Sequence, residues 1–553
     1  MDDEEEKRLQ AATSNADDVE SQRLIPISDE ESGPQDSSSW STTSKLRSGR
    51  GLGSHNSTAR RWILLPVRDL VRLIKKSLQP GESQPKPKRG LVVAVFGFTA
   101  SRADELKETS WLDGLRGVAA FLVMVYHYHL DMFTFGTEAP YGAPGTHAWE
   151  IWRLPYLRII WCSGHTQVGI FFVLSGFVLS WSSLSSIREG RYEKFALSLG
   201  STAFRRWMRL FVPCFWIGIL SLIQFYSGVL ELTVTRRDSF LAQFVDYLWE
   251  SERFANPFHL ERTNWEVLHS YNTTMWTMPV EWAGSLAVFV VLLMVSRIRS
   301  YGKRTLVLAV VPIYACLSAR WNYWLFTTGV LFADYVKQRG GFDQLSGRTT
   351  RRSRLCWLLV LLAGGWLGGI PGKRDWYERP GYAWTDAFIP ANWQDIEGGQ
   401  RYFWCWSGVL LTAGVAHFAA LRRLFERPAC RYLGRVSFML YLTHRMVGTI
   451  LGPPIRRQIL ALLGTHRAAP DHPEVDVVEI QGPVWNVLAY LLAWAVMLPL
   501  ALALANWCTV LVDEPCVRFA RWVDERFVSG GGGGGAGAGA GAGGEQELGY
   551  RAE

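Results

Sequence analysis

The chain has 553 residues, of which 48% are hydrophobic and 26 are Trp, and its formal net charge is +8. Apolar runs of about 16 to 25 residues recur from Leu112 to Val512, which excludes a soluble multidomain protein and predicts a polytopic membrane protein. The basic residues are spread over short loops and the eight Cys show no CxxC or Cys/His metal spacing, so the sequence excludes a nucleic-acid surface, a zinc site and a disulfide framework.

Both ends of the chain are predicted to be flexible. Residues 1–57 form an acidic, Ser-rich tail with too little apolar surface to fold. Residues 58–107 form a basic juxtamembrane segment and linker, in which Arg60 to Gln79 has the spacing of an amphipathic helix on the cytosolic leaflet. Residues 521–553 form a Gly/Ala-rich tail, in which Gly530 to Gly544 is low in complexity.

The part between these tails, residues 108–520, is predicted to be all-α, with about ten transmembrane helices. The predicted spans are roughly 112–130, 168–186, 210–229, 279–296, 305–319, 321–336, 355–370, 402–420, 436–452 and 484–512. Little more than Arg320 separates the fifth span from the sixth, which predicts a tight helical hairpin.

The charge of the connecting loops predicts their orientation. The four loops on one side (187–209, 297–304, 337–354 and 421–435) carry 21 Lys/Arg in 64 residues. The five on the other side (131–167, 230–278, Arg320 alone, 371–401 and 453–483) carry 14 in 149 residues. Because cytosolic loops are enriched in Lys and Arg, we expect a multi-pass integral membrane protein with both termini in the cytosol.

The first span, WLDGLRGVAAFLVMVYHYHLD, carries ionisable groups at both ends. Arg116 and His127 are eleven residues apart and share a helix face, with His127 in the outer half. Asp131 follows His127 by four residues, so its carboxylate could hold the imidazole in one tautomer. This pattern favours a catalytic His and its supporting charges; the alternative is a satisfied buried His and an Arg anchor.

The next two spans bring a small-residue stripe and a basic patch. Ser175 lies in VGIFFVLSGFVLSWSSL, where the small residues favour helix packing over a nucleophilic role. In FRRWMRLFVP, Arg205, Arg206 and Arg209 are predicted at the cytosolic mouth of the third span. They are either a positive-inside anchor or ligands for the phosphates of a cytosolic donor.

Polar side chains also occur in the fourth and ninth predicted spans. Glu281 is predicted at the outer start of the fourth, as a second acid or base, an acceptor ligand or an ordinary interfacial carboxylate. Ser437, Tyr441 and His444 share one face of the ninth and form a polar stripe in an apolar helix.

Six of these segments, in this order, resemble motifs of the acyltransferase 3 family of integral-membrane O-acyltransferases. The first is the Arg116–His127 pair separated by ten residues, followed by GIFFVLSGFVLS, FRRWMRLFVP, MWTMPVEW, LGRVSFMLYLTH and a final DEP. Thr277 and Met278 replace the Ser-Leu usual in the fourth motif, and Phe438 replaces the usual Tyr in the fifth. The Trp-rich loops and long tails resemble the fungal branch.

The resemblance implies transfer of an acyl group from a donor, usually acyl-CoA as co-substrate, to a hydroxyl of a carbohydrate, lipid or small metabolite. It implies that His127 is catalytic together with Arg116, and that Arg205, Arg206 and Arg209 hold the phosphates of CoA.

In that mechanism His127 is a general base or a transient acyl carrier, and Glu281 and Asp131 orient or stabilise its imidazolium. No metal or redox cofactor is implied. The alternative is a transporter or lipid-handling protein of the same fold.

Overall fold

Helices make up most of the computed structural model, which describes residues 95–97, 107–132, 140–142, 151–258, 268–347, 350–371, 381–396, 399–468, 476–480 and 483–528. The side chains of residues 131, 132, 466–468, 476–479, 483, 527 and 528 are outside this description. The predicted tail 1–57, the amphipathic segment at 60–79 and the Gly/Ala-rich run at 530–544 also lie outside the described residues.

The α-helices are numbered in chain order. They are α1 (Ser110–Met132), α2 (Ile159–Cys162), α3 (Gly164–Arg188), α4 (Tyr192–Tyr226), α5 (Phe240–Ala255), α6 (Thr277–Ser296), α7 (Tyr301–Leu317), α8 (Trp321–Gln338), α9 (Phe342–Gly347), α10 (Arg351–Gly368), α11 (Gln400–His417), α12 (Ala419–Phe425), α13 (Pro428–Leu463), α14 (Pro483–Cys508) and α15 (Glu514–Val523). Each of the ten predicted spans coincides with one of these helices, so the prediction of helical structure is confirmed.

Short elements complete the described structure. The 3₁₀ helices are Ile151–Arg153, Thr273–Trp276, Ala383–Phe388 and Ala391–Trp393, and π-helical turns occupy Thr509–Asp513 and Asp524–Val528. The sequence did not predict the one hairpin, in which strand β1 (Thr465–Ala468) pairs antiparallel with β2 (Asp476–Glu479), with Thr465 opposite Glu479.

Four helices in the described part of the chain are long and apolar enough to cross a membrane. They are Gly164–Arg188, Tyr192–Tyr226, Thr273–Ser296 and Val484–Arg526. A fifth is added if α11 and α12, bent by 105° at their junction, count as one span. The predicted number of ten spans is therefore not confirmed. α1 is not among the four, and its sequence explains this because Asp, Arg and His interrupt its apolar residues.

Two helices extend well beyond the predicted spans. α4 begins at Tyr192 rather than near residue 210, so the basic patch lies inside a 35-residue helix instead of in a loop. Arg is a good helix former, and the chain has no proline in this helix before Pro213. α13 continues through Pro453 and Pro454 to Leu463, whereas the predicted ninth span ends near residue 452.

The predicted hairpin between the fifth and sixth spans is confirmed as α7 and α8. Ala319 adopts a left-handed φ of 54°, which ends α7. The backbone N–H of Arg320 donates to the carbonyl of Ala315 at 2.9 Å, the bond that typically closes a helix ending in a left-handed residue. The chain can therefore reverse within the three residues between Leu317 and Trp321.

Close helix packing positions the core. On α3, a Cβ at Gly176 would collide with the backbone of Phe326 on α8, so the predicted role of the small-residue stripe in packing is borne out here. One apolar cluster centres on α3, α6, α8 and α11, and a second on α1, α4, α13 and α14. All eight Cys are free, and five of them are buried.

Candidate functional site

The site is organised by the crossing of α1 with α13. A Cβ at Gly117 would collide with the backbone of Leu433 and Gly434, and a Cβ at Gly434 would lie 2.5 Å from the carbonyl oxygen of Asp113. Only glycine allows this approach, because the obstructing atoms are backbone atoms that cannot rotate away. The crossing brings the polar stripe of α13 against the polar face of α1.

Arg116 lies at this crossing. Its Nε donates to Ser437 Oγ at 3.2 Å, and its Nη2 donates to the carbonyl of Gly434 at 3.4 Å. The same guanidinium pairs with Asp113 at 3.0 Å. The side chain of Arg116 is 34% exposed, so it is fixed in position yet still open to a ligand. Of the predicted site residues, Arg116 and Ser437 are thus brought together.

His127 lies further along the same helix pair. Its ring centroid is 5.1 Å from that of His444, and its Nδ1 is 3.3 Å from Nη1 of Arg445. His127 is half-buried, whereas His444 is completely buried. The structure therefore joins the two predicted His and adds Arg445, which the sequence analysis missed although it follows His444 directly.

Aromatic rings surround this His pair. Tyr126 is 5.9 Å, edge-on, from His165 of α3, and His165 stacks on Trp404 of α11 at 4.3 Å. His165 was not singled out in the sequence, because it lies in a loop-like stretch before the apolar part of α3. No group of three or more His, Cys, Asp or Glu residues that could hold a metal ion occurs in the part of the chain that the structure describes.

Tyr441 connects the His pair to α6. Its ring centroid is 6.0 Å from that of His444, and its hydroxyl accepts a hydrogen bond from Thr277 Oγ1 at 3.0 Å. Phe171 of α3 contacts the same ring edge-on at 5.9 Å. Ser437, Tyr441 and His444 therefore all face other helices of the site, as a shared helix face requires.

Glu281 and Arg206 form a buried ion pair. Nη2 of Arg206 donates to Oε1 of Glu281, which also accepts from Ser175 Oγ at 2.9 Å. Nε of Arg206 donates to Ser285 Oγ at 3.3 Å. The Arg206 and Glu281 side chains are only 18% and 16% exposed. Ser175, which the sequence assigned to packing, is thus also a hydrogen-bonding partner of the pair.

The contact between Arg206 and Glu281 disagrees with the membrane depths that the sequence predicted for these two residues. The sequence placed Arg206 at the cytosolic mouth and Glu281 near the outer surface, but a direct contact requires the same depth. The cause is the length of α4, which carries Arg206 about 21 Å from its first residue at 1.5 Å per residue.

The rest of the basic patch faces the C-terminal segment. Nε of Arg205 lies 3.6 Å from Asp524 Oδ2, which also accepts from Ser201 Oγ at 2.6 Å. Arg209 follows one turn later and is half-buried. Near the final DEP motif, Arg435 pairs with Glu514 at 3.2 Å.

Asp131 lies in the last turn of α1, and its side chain is outside the described residues. Its predicted contact with His127 stays a prediction.

Comparison with known proteins shows the family to which the chain belongs. The acyltransferase domain profile named Acyl_transf_3 matches residues 109–508, which is more than half of the chain. The O-acetyltransferase PaAT-1 of Phomopsis amygdali is 27% identical over 498 residues, covering 84% of this chain and 94% of the relative. No solved structure matches.

Two further fungal relatives agree with this match. The acyltransferase R4 of a Phoma species is 22% identical and covers 62% of this chain and 84% of the relative. The acyltransferase clz18 of Cochliobolus lunatus is 21% identical and covers 63% and 84%. The family resemblance read from the six motifs is thus confirmed, and the chain belongs to the acyltransferase 3 family of O-acyltransferases.

Proposed function

We propose that this protein transfers an acyl group from acyl-CoA to a hydroxyl of a carbohydrate, lipid or small metabolite, at a centre built around His127. The observation that carries the proposal is the half-buried His127 between Arg445 and His444, on the same helix as Arg116. The rise of a helix separates Arg116 from His127 by about 16 Å. A donor held at Arg116 would thus extend its thioester along α1 towards His127.

The CoA phosphates are proposed to bind Arg205, Arg206 and Arg209. Arg206 also pairs with Glu281 and Arg205 with Asp524, so the phosphates share these two guanidinium groups with carboxylates. Guanidinium groups match phosphate oxygens in a planar, bidentate geometry. Glu281 in turn positions Arg206 and Ser175 beside the path of the donor, and Asp131 is proposed to support the His127 end of α1.

The membrane arrangement follows from the helices and the loop charges. We propose that all ten helices predicted as spans cross the bilayer, with both termini in the cytosol. The donor then enters from the cytosol, and acyl transfer takes place within the helix bundle. No metal or redox cofactor takes part in this mechanism.

The test uses the full-length protein purified in lipid nanodiscs with radiolabelled acetyl-CoA, since one relative is named an O-acetyltransferase. Lipid, glycan and small-metabolite extracts from cells lacking the gene supply the acceptors. The wild type is expected to release CoA thiol and label one pool, and His127→Ala is expected to lose about 10²-fold or more.

His129→Phe is the matched control, because His129 lies on the same helix but stacks on Trp161 at 5.9 Å, away from the His pair. It is expected to keep the wild-type rate. Equal rates for wild type and His127→Ala would refute a centre at His127. Lipid or metabolite binding without turnover in any pool would favour the transporter alternative.

A further inference from the structure

The two His of the centre are held in opposite tautomers. Arg445 has only N–H donors, so its 3.3 Å contact with His127 makes Nδ1 of His127 the acceptor. A neutral imidazole carries one proton, which therefore resides on Nε2 of His127. The ring thus presents an N–H donor at Nε2, while the lone pair that a base needs already faces a cation.

His444 has the reverse arrangement. Its Nδ1 lies 3.1 Å from the carbonyl oxygen of Leu440, one turn earlier in α13. A carbonyl only accepts, so Nδ1 carries the proton and Nε2 carries the lone pair. Among the described residues, Nε2 of His444 has no hydrogen-bond partner although the residue is completely buried. A buried acceptor without a donor is costly, and such groups concentrate at functional sites.

We propose that Nε2 of His444 is the base that removes the acceptor proton, and that His127 donates a hydrogen bond from Nε2 to the acyl oxygen. This inference rests on the proposed acyl transfer and assigns its roles differently from the sequence, which favoured His127 as base or acyl carrier. The centroid distance of 5.1 Å keeps both rings within reach of one reacting carbonyl.

The step balances without an additional reactant. The hydroxyl oxygen forms a bond to the acyl carbon while its proton moves to Nε2 of His444. The negative charge that develops on the acyl oxygen is stabilised by the Nε2–H of His127. The C–S bond then breaks, and the CoA thiolate takes the proton from His444, which returns both rings to their starting tautomers.

The difference in burial between the two His also determines which of them a substrate reaches first. His127 is half-buried and His444 lies deeper, so a substrate meets the donor before it reaches the base. Water is thereby kept from Nε2 of His444 until the acceptor hydroxyl arrives, which disfavours hydrolysis of the donor. Arg445 acts through His127 and is a positioning residue.

The experiment compares His127→Gln with His127→Ala in the nanodisc assay. Gln supplies an amide oxygen to accept from Arg445 and an N–H to donate, but it cannot act as a base. We expect His127→Gln to keep kcat within about tenfold of wild type, while His127→Ala loses about 10²–10³-fold, the usual effect of removing one such donor. His444→Gln is expected to lose about 10²–10⁴-fold in kcat with an unchanged KM for acetyl-CoA.

Two results would overturn the assignment. One is a His127→Gln variant as inactive as His127→Ala, which would return the role of base to His127. The other is a His444→Gln variant with the wild-type rate. Because the His127 pair of variants decides the question alone, an unfolded His444→Gln variant leaves the test intact. A wild-type protein without acyl transfer would instead refute the proposed function.

Discussion

The buried pair of Arg206 and Glu281 gives a prediction about stability whose size follows from the structure. Removing one partner leaves the other as an unpaired charge among α3, α4 and α6. For fully buried pairs this costs about 3–5 kcal/mol. Because the two side chains keep 18% and 16% exposure, we expect the lower end, about 3 kcal/mol, for Arg206→Gln or Glu281→Gln.

The double variant should recover most of this loss. Two Gln side chains are neutral and can bond each other, Ser175 and Ser285, so no charge is left unpaired. A double-mutant cycle on unfolding in mild detergent is therefore expected to give a coupling energy of about 2 kcal/mol or more.

The exposed pair Arg237–Asp246, at 2.8 Å, is the control for this cycle. Its side chains are 51% and 29% exposed, and water screens their attraction, so its coupling should be close to zero. If Arg206 and Glu281 were coupled no more strongly than this exposed pair, the argument from burial would be wrong.

Three further predictions concern the proposed phosphate site, the helix crossing and the buried residue His269. Arg209→Ala should raise the KM for acetyl-CoA about tenfold with little change in kcat, an effect that weakens at high salt; an unchanged KM would contradict phosphate binding there. Gly434→Ala should lower the free energy of unfolding by about 1–3 kcal/mol and lower kcat, because the added Cβ forces α1 away from α13. Gly302→Ala is the control: its Cβ meets only open space, so it should leave kcat unchanged and should not reduce stability. Burial, assisted by the charge of Arg253, lowers the pKa of His269 to about 3, so the stability of the fold should decrease as the pH drops below about 6.5. Thermal melts between pH 7 and 5 should show a smaller decrease for His269→Phe than for the wild type.

His269 illustrates how a side chain outside the apolar helices becomes part of the core. It packs against Phe254 and Tyr271, with ring centroids 5.1 and 5.9 Å away. The folded form binds the proton more weakly than the unfolded chain, so protonation favours unfolding. The sign of the predicted pH effect follows from this order of affinities.

The segment Asn272-Thr273-Thr274 has the sequence of an N-glycosylation site, yet Asn272 and Thr274 are also buried. Nδ2 of Asn272 donates to the carbonyl of Leu442 at 2.9 Å, and Thr274 Oγ1 donates to its Oδ1 at 2.5 Å. The amide nitrogen that a glycan would occupy is therefore already used to join this segment to α13. The sequence pattern alone carries no information about this contact, because its partner is 170 residues away.

Local sequence patterns were sufficient to predict the helices of this protein and to recognise its family. Apolar runs located ten helices because a helix that buries or spans apolar surface needs continuous hydrophobic length. The spacing of Arg116 and His127 placed both on one face, since helical periodicity is a property of the backbone alone. Six short motifs in order were enough to identify the chemistry of the chain.

Only the tertiary structure decided which side chains meet. The contacts of Arg445 with His127 and of Arg206 with Glu281 join residues that are 318 and 75 positions apart in the chain. They depend on Gly117 and on the length of α4, which local periodicity does not reveal. The tautomers follow from those contacts, because a proton on an imidazole is positioned by whatever the other nitrogen meets. The sequence by itself determined that a His stands in a helix with an Arg; the packing of α1 on α13 decided which His keeps a free lone pair.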